Sequence, residues 1–254
     1  MPTPISHAGH RNQNLQADWT HPTRIRFGPG RVSELPEVCG LLGMRRPLLA
    51  TDPGFCRLSA FGRIAAAITK QGAEPAVFSG VTPDPGGKCI ADGVRAFREA
   101  RCDGVVAAGG GSALDAGKAI ALAAAVGPER IWEFSFQQGQ PPPVLQKDRI
   151  PPIVTVPTTA GTGSEVNASA VITDEKRGAK RSLWHPALLP AVVVADPCLT
   201  LSLPPALTAA TGMDALSHNL EAFCAAGFDP VLDAVALQGI RYAKDWLLPA
   251  YRSK

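Results

Sequence analysis

Short apolar runs alternate with amphipathic stretches over most of the chain. The first two runs are RPLLATD at 46–52, which leads into Pro-Gly, and PAVFSGV at 75–81, which is followed by TPDPGG. Compact apolar runs closed by such breakers are typical of β-strands. Between them, residues 58–71 place apolar side chains three and four positions apart, the spacing of one helix face. We therefore predict a strand, a helix and a second strand in this region.

The same alternation continues further along the chain. DGVVAAGGGS at 103–112 predicts a strand that ends in glycines, with helical stretches before it (IADGVRAFREA) and after it (ALDAGKAIALAAA). IPPIVTVPTTAGTGSE at 150–165 predicts a strand that leads into a loop of small residues, and AVVVADP at 191–197 has the uniformly apolar pattern of a strand buried on both faces. Strands that alternate with helices of this length predict an α/β domain with a parallel sheet.

The pattern changes after Asp196. LPPALTAATGMDALSHNLEAFCAA carries prolines at its start and then apolar residues at helical spacing, with no strand-like run to the end of the sequence. The first 22 residues are polar and lack the apolar stretch of a secretory signal. We therefore predict a solvated tail over 1–22, an α/β domain over 23–198 and a partial helical domain over 199–254, with the boundary near 197–203.

Composition and charge exclude several classes of protein. The 254 residues carry 25 Lys plus Arg against 22 Asp plus Glu, a balance too even for an electrostatic nucleic-acid binder. No run approaches the roughly 18 apolar residues that a membrane span requires. The six cysteines lie far apart without a C-x-x-C pair, which excludes a zinc ribbon and favours free thiols in a reducing compartment. We expect a cytoplasmic protein with neither nucleic-acid nor membrane partners.

Gly109, Gly110, Gly111 and Ser112 stand between a predicted strand and a predicted helix. Glycine lets the backbone approach a ligand closely, and a helix N-terminus presents free N–H groups and a partial positive charge. The pattern therefore indicates a phosphate or pyrophosphate site. It matches neither the P-loop nor the Rossmann G-x-G-x-x-G, which would need glycine in place of Leu114. A glycine-rich turn without a ligand is the alternative.

Three further side chains are candidates for chemistry. Asp52 ends the first predicted strand and is of the type that accepts hydrogen bonds from ribose hydroxyls, although an Asx turn is the commoner explanation of Asp-Pro-Gly. Asp214 and His218 are four residues apart on a predicted helix, so one divalent ion could bind both; a capped or salt-bridged pair is the commoner reason for that spacing. His185 has no partner in the sequence, and we predict a structural or surface position for it.

Taken together, these stretches resemble the iron-dependent (group III) alcohol dehydrogenase family. The resemblance rests on LLATD, VTPDP, GGGSALDAGKAIAL, VPTTAGTGSEVNASAVITDEKRGAK and LLPAVVVADPCLTLSLPPALTAATGMDALSHNLEAF, which are collinear over about residues 24–230. It implies an N-terminal α/β domain that binds NAD(P), followed by the start of an all-α domain that carries a divalent metal in the cleft between the two. Residues 23–198 would then be the dinucleotide-binding domain, and 199–254 part of the metal-binding domain.

The resemblance also implies a set of cofactor contacts. Asp52 would bind the adenosine ribose and favour NAD over NADP, because it would repel a 2′-phosphate. Gly110, Gly111 and Ser112 would hold the pyrophosphate. The remaining implied contacts are Asp84, Asp115, Thr158, Thr159, Thr162, Asn167, Lys180 and Leu199. Asp84 stands where the family usually has Asn, and therefore brings a negative charge near the cofactor.

Asp214 and His218 would be two ligands of the metal, Fe²⁺ with Zn²⁺ as the alternative. In the family two downstream histidines complete the metal site, whereas no histidine follows His218 in this sequence. The resemblance therefore implies a helical domain that is cut short, in a fragment or in a shortened homologue. Apolar side chains around Leu216, Leu220 and Phe223 should then be exposed, which favours homodimerisation.

Two functions follow from these expectations. The first is an NAD(P)-dependent oxidoreductase in which the metal polarises the oxygen of a small alcohol or aldehyde while nicotinamide exchanges a hydride. The second is a catalytically silent nucleotide-binding remnant that lacks half of the metal site.

Overall fold

A computed structural model describes residues 23–70, 75–137, 139–146 and 149–253. The predicted tail over residues 1–22 lies outside the described residues. In chain order the described strands are β1 (Ile25–Phe27), β2 (Pro47–Ala50), β3 (Ala76–Phe78), β4 (Gly104–Gly109), β5 (Ile153–Pro157), β6 (Ser169–Asp174), β7 (Ala179–Trp184) and β8 (Val192–Ala195). The described α-helices are α1 (Leu35–Leu41), α2 (Ser59–Thr69), α3 (Gly87–Glu99), α4 (Gly111–Val126), α5 (Pro205–Cys224) and α6 (Pro230–Arg252). None of these helices is long and apolar enough to cross a membrane.

Six strands form one parallel sheet in the order β1-β8-β5-β4-β2-β3, and β6 and β7 form a separate antiparallel hairpin. Side chains along a strand alternate between the two faces of the sheet. Leu48 accordingly belongs to the core layer that contains Ile120 of α4, while its neighbour Leu49 belongs to the layer that contains Ile64 of α2. Because helices cover both faces, the central strands β4 and β5 are buried along their whole length. The predicted α/β class with a parallel sheet is confirmed.

The strand order reverses next to β2. From β2 the chain runs through α2 to β3 at one edge of the sheet, then returns through α3 to β4 on the other side of β2. The connections after β2 and β4 lead to helices on opposite faces, because α2 packs in one core layer and α4 in the other. Their loops therefore diverge and leave a crevice at the carboxyl ends of these two strands. In open α/β sheets, ligands bind at this kind of position.

The helices α5 and α6 pack side by side after the last strand. A Cβ on Gly212 would meet Leu247, and one on Gly239 would meet Asn219, so the two helices run antiparallel in close contact. Leu220 and Phe223 are 44% and 42% exposed, as the sequence predicts, whereas Leu216, predicted to be exposed with them, is partly buried. The predicted boundary near residues 197–203 falls between β8 and α5, and it remains a prediction.

The sequence analysis missed β1, α1 and the β6–β7 hairpin, whereas α6 lies within the helical segment predicted over 199–254. The strand β1 has three residues and α1 has seven, including a proline, so both are too short for a repeating apolar pattern to stand out. Lys180 and Arg181 in β7 hide its strand character, because its outer face is exposed to solvent. The helix α6 begins after Asp229, which accepts a hydrogen bond from Leu232 N, a capping signal that the sequence carries.

Candidate functional site

The crevice at the strand-order reversal is a cleft of about 420 Å³. Three loops line it, each at the carboxyl end of a strand: the loops after β2, β3 and β4. The lining residues are Asp52, Pro53, Gly54, Val81, Thr82, Pro83, Gly110, Gly111, Ser112 and Ala113. The fold thus brings Asp52 together with the glycine loop, two features that are far apart in the sequence.

The glycine loop leaves the N-terminus of α4 open to this cleft. Gly109 has a φ of +144°, and a Cβ there would lie 2.7 Å from the Cβ of Ala113. A Cβ on Gly111 would lie 2.7 Å from Thr162 Cγ2. Gly110 is the N-cap of α4, and no side chain in the described part of the chain caps this helix. The first N–H groups of a 16-residue helix are therefore available to an anion.

Asp52 serves a turn and the cleft at the same time. Its Oδ1 accepts a 2.8 Å hydrogen bond from Phe55 N, which is the turn that Asp-Pro-Gly predicts. Its Oδ2 faces the end of β4, since a Cβ on Gly109 would lie 3.5 Å from it. The neighbouring Thr51 hydroxyl is buried and has no hydrogen-bond partner among the described residues. One carboxylate oxygen of Asp52 therefore remains directed into the crevice.

The loop after β5 lies against the glycine loop. Thr158 N donates a 3.0 Å hydrogen bond to Gly109 O, which continues the contact between β5 and β4 past the end of the sheet. Thr159 Cγ2 would lie 3.5 Å from a Cβ on Gly110, and Thr162 lies beside Gly111. The three threonines that the resemblance implies therefore lie in the loop that packs against Gly109, Gly110 and Gly111.

Lys118 is a buried cation that the sequence analysis missed. Its side chain is fully buried in α4, and its Nζ lies 3.1 Å from Asp115 Oδ1. Nζ also donates hydrogen bonds to Ser164 O (2.8 Å), Asn167 Oδ1 (2.9 Å) and Ser169 O. Burial lowers the pKa of Lys118, and the Asp115 carboxylate opposes that shift. The one available signal was a lysine three residues after an aspartate in an otherwise apolar helix.

Asp115 and Asn167 consequently have partners within the protein. Asp115 Oδ2 accepts a 3.0 Å hydrogen bond from Val171 N of β6, in addition to its contact with Lys118. Asn167 Oδ1 accepts hydrogen bonds from Lys118 and from Ser169 N (3.0 Å). Their implied contact with a cofactor remains a prediction.

Asp84 and Lys180 meet across the loop after β3 and the hairpin. Their side chains form an ion pair of 2.5 Å between Asp84 Oδ1 and Lys180 Nζ. Asp84 follows the cleft residues Thr82 and Pro83, so the pair stands beside the cleft. Leu199, in contrast, is buried in the core layer that contains α1 and α2.

Asp214 and His218 share one face of α5, next to the loop after β5. His218 Nδ1 lies 3.8 Å from Asp214 Oδ1 and 3.2 Å from Gly161 O. Since a carbonyl oxygen only accepts, Nδ1 donates this hydrogen bond, and in the neutral imidazole Nε2 is then the nitrogen that carries the lone pair. A Cβ on Gly161 would lie 2.6 Å from Thr211 O, so glycine is needed for α5 to approach the loop. Within the described residues, no group of three or more His, Cys, Asp and Glu side chains could hold a metal ion. The pair supplies two suitable donors, and the described residues do not complete the site.

His185, predicted at a structural or surface position, is buried, and the cysteines, predicted to be free thiols, form no disulfide. His185 is buried, its Nδ1 accepts a 3.1 Å hydrogen bond from Ala187 N, and its ring packs edge-on against Phe134. Burial lowers the pKa of His185. All six cysteines are free, and burial raises the pKa of Cys39 and of Cys102 to about 11. The thiols of Cys39 and Cys102 are therefore poor nucleophiles.

Known proteins resemble this chain in both sequence and structure. A family model described as "Iron-containing alcohol dehydrogenase" matches residues 22–197. The choline dehydrogenase of Bacillus subtilis is 37% identical over 230 residues, which cover 91% of this chain and 56% of that protein. The 4-hydroxybutyrate dehydrogenase of Cupriavidus necator is 42% identical over 219 residues, covering 86% of this chain and 56% of the relative.

A solved structure agrees with these matches. The sulfoacetaldehyde reductase from Bifidobacterium kashiwanohense, crystallised in complex with NAD⁺, has a TM-score of 0.85 and 33% sequence identity. The match covers 94% of this chain and 61% of that one. The chain thus spans between 56% and 61% of the length of these three proteins.

Proposed function

Because the chain belongs to the iron-containing alcohol dehydrogenase family, we propose that its α/β domain binds NAD(H) in the cleft between the ends of β2 and β4. The observation that carries this proposal is the uncapped N-terminus of α4, framed by glycines at which a side chain would collide with Ala113 or Thr162. A helix N-terminus attracts the pyrophosphate of a dinucleotide. The NAD⁺ complex of the structurally similar sulfoacetaldehyde reductase supports the same cofactor.

Each part of the cleft then has a role in binding. The backbone N–H groups of Gly110, Gly111 and Ser112 hold the pyrophosphate, and Thr158, Thr159 and Thr162 cover it from the other side. The free oxygen of Asp52 accepts hydrogen bonds from the adenosine ribose hydroxyls. It disfavours NADP, because a 2′-phosphate would bring like charges together.

The remaining contacts act at the margin of the cleft or from behind it. Lys180 and Asp84 stand beside the opening, where their charges face an anionic cofactor. Asp115 and Asn167 fix the loop after β5 through Lys118, and Leu199 belongs to the core layer that contains α1 and α2. These residues shape the pocket that the cofactor enters.

The reaction we propose is the interconversion of a small alcohol and the corresponding aldehyde or ketone by hydride transfer to or from nicotinamide. Asp214 and His218 would be two of the protein ligands of a divalent ion, Fe²⁺ with Zn²⁺ as the alternative. A bound divalent ion acts as a Lewis acid on the alcohol oxygen. The Gly161 carbonyl accepts a hydrogen bond from His218 Nδ1 and so orients the ring and leaves Nε2 available to the proposed metal. The loop after β5 connects this position with the proposed nucleotide cleft.

One observation favours the second function, dinucleotide binding without turnover. Asp214 and His218 have no third potential ligand grouped with them among the described residues. A chain that binds NADH but neither retains metal nor reduces NAD⁺ with alcohols would be this silent form. Metal analysis beside an NAD⁺-reduction assay separates the two functions.

A fluorescence titration with NADH tests the cofactor site. Gly111→Val should abolish the enhancement of NADH fluorescence, because its side chain would collide with Thr162 and displace the loop after β5. Gly62→Val in α2 is a matched control, since a Cβ there has no neighbour within 4 Å. Equal binding by the two variants would show that the cofactor does not use this loop.

A further inference from the structure

Asp84 and Lys180 form their ion pair at the margin of the cleft, although 96 positions separate them in the sequence. The two residues preceding Asp84, Thr82 and Pro83, line the cleft, and Lys180 is the second residue of β7. Both side chains are exposed, at 65% for Asp84 and 57% for Lys180. The pair therefore lies in solvent beside the opening of the cleft.

The backbone around Asp84 is fixed to the hairpin independently of this ion pair. Thr173 donates two hydrogen bonds to the loop after β3, from its N to Pro85 O (2.9 Å) and from its Oγ1 to Asp84 O (3.2 Å). The Glu175 carboxylate accepts a 3.0 Å hydrogen bond from Gly87 N. Asp84 has a φ of +51°, a left-handed conformation that Asp and Asn tolerate better than other side chains. Replacement of Asp84 by Asn should therefore remove the charge and leave the loop in place.

Lys180 has no second ionic partner in the described part of the chain. Its ammonium sits on a flexible four-carbon stem and can turn toward a different anion. The cleft beside it contains the open N-terminus of α4, which attracts anions. An anion bound there and the Asp84 carboxylate would compete for the same ammonium group.

We propose that Asp84 lowers the affinity of the cleft for pyrophosphate-bearing nucleotides by holding Lys180 in competition with the ligand. This proposal rests on the proposed binding of NAD(H) in the cleft, and it makes Asp84 an affinity-determining residue of that site. An exposed ion pair contributes little free energy, so the ligand can displace Asp84 readily. The competition should weaken with ionic strength, because salt screens exposed charges.

A double-mutant cycle tests the competition. NADH is titrated into the 254-residue chain and into Asp84→Asn, Lys180→Met and the double variant. Each titration is made at about 20 mM and about 500 mM salt. Asp84→Asn should bind NADH about three- to fivefold more tightly at low salt. The gain should shrink at high salt, and it should be smaller in the Lys180→Met background, where no ammonium group can be released.

Asp92→Asn provides the matched control. It removes a carboxylate from another exposed ion pair, 2.8 Å from Lys88 on α3, outside the residues that line the cleft. This variant should bind NADH as the parent chain does. Thermal unfolding of every variant checks that the fold is retained.

Each other outcome overturns the proposal in a recognisable way. An equal or larger gain from Asp84→Asn in the Lys180→Met background would mean that Asp84 repels the ligand directly. No gain in the parent background would mean that Asp84 does not restrain Lys180. Failure of the parent and all variants to bind NADH would remove the proposed cofactor site itself, whereas binding by the parent with unchanged affinity in Asp84→Asn removes only the competition.

Discussion

The Lys118 ammonium donates a 2.9 Å hydrogen bond to the side-chain oxygen of Asn167, 49 residues further along the chain. This contact joins α4, whose N-terminus opens onto the cleft, to the loop after β5. Ser164 O and Ser169 O accept further hydrogen bonds from the same group, and the Asp115 carboxylate balances its charge. A buried cation with this set of acceptors is stable in the interior, because each proton meets an oxygen.

Replacement of Lys118 by Met should destabilise the fold strongly. The change leaves the Asp115 carboxylate, which is 8% exposed, without its ionic partner, and a broken buried pair typically costs about 3–5 kcal/mol. Urea denaturation measures the loss of unfolding free energy. Lys88→Met, which removes an exposed lysine from its ion pair with Asp92, should change it by less than about 1 kcal/mol. A similar, small effect of the two substitutions would contradict the structural role of Lys118.

Acidification should destabilise the protein through His185. Burial holds the pKa of His185 below the ordinary value of 6.5, so between the two pKa values the unfolded chain binds the extra proton. The free energy of unfolding therefore falls as the pH drops below 6.5, by at most about 1.4 kcal/mol per pH unit for one group. Urea unfolding from about pH 7.5 to about pH 5 should show a shallower slope in His185→Gln. An unchanged slope would assign the acid sensitivity to other groups.

The preference for NADH over NADPH should depend on the charge of Asp52. Asp52→Ala should relax the preference by roughly tenfold, about 1.4 kcal/mol. Asp52→Asn removes the charge but retains an oxygen that can accept the hydrogen bond from Phe55 N. This variant therefore distinguishes the loss of repulsion toward the 2′-phosphate from the loss of the turn. Titration of each variant with both cofactors gives the ratio of dissociation constants. A parent chain that binds NADPH as tightly as NADH would rule out the proposed role of Asp52.

The chain should hold iron or zinc weakly when purified without added metal. Asp214 and His218 provide two donors, and each absent protein ligand removes a pre-oriented partner for the ion. We expect well below one equivalent of metal by mass spectrometry, and little or no reduction of NAD⁺ with small alcohols. His218→Ala should lower the metal content further. Stoichiometric metal with ordinary turnover would require ligands outside the described residues or from a second subunit.

The exposed apolar face of the helix pair should promote self-association. Leu220 and Phe223 project from α5 with more than two fifths of their surface in solvent. Sedimentation over a range of concentrations should show association in the parent chain and less of it in Leu220→Glu/Phe223→Glu. Val144→Glu is the control, because Val144 is fully exposed and lies outside this helix pair. Equal association in all three proteins would place the contact elsewhere.

Local sequence patterns predicted the strands and helices of the parallel sheet and the glycine loop at the end of β4. The buried run of β4 and the glycines from its last residue to the start of α4 are contiguous, so the apolar pattern and glycine chemistry identify them together. Asp52 is linked to them only through the resemblance to the family, because no local pattern shows that β2 and β4 are neighbours in the sheet. Lys118 and Asn167 could not be paired from a local pattern either, since no periodicity links positions 49 residues apart. Only tertiary packing brings such groups into contact.

The hairpin illustrates a second limit of sequence patterns. Strand β6 alternates buried and partly exposed side chains, but β7 carries two basic residues in succession, Lys180 and Arg181. Each has an acidic partner in the structure: Asp84 for Lys180, and Asp174 for Arg181 at 3.1 Å. Consecutive charged residues are typical of a loop in sequence patterns. In this structure they lie in a strand, because the fold places an acidic side chain next to each of them.

The loop after β5 lies against both α5 and the glycine loop of the proposed dinucleotide cleft. Thr162 abuts Gly111 at one end, while the Gly161 carbonyl accepts the hydrogen bond from His218 at the other. Two adjacent residues, Gly161 and Thr162, would thus each lie next to a different proposed ligand. A displacement of one residue would also move the other, because a peptide bond joins them. If a nucleotide shifts this loop and thereby changes the affinity for a cation at His218, thermodynamic linkage requires the cation to change nucleotide affinity by the same factor. Binding at the two sites would then be thermodynamically coupled, and the peptide bond between Gly161 and Thr162 would connect them.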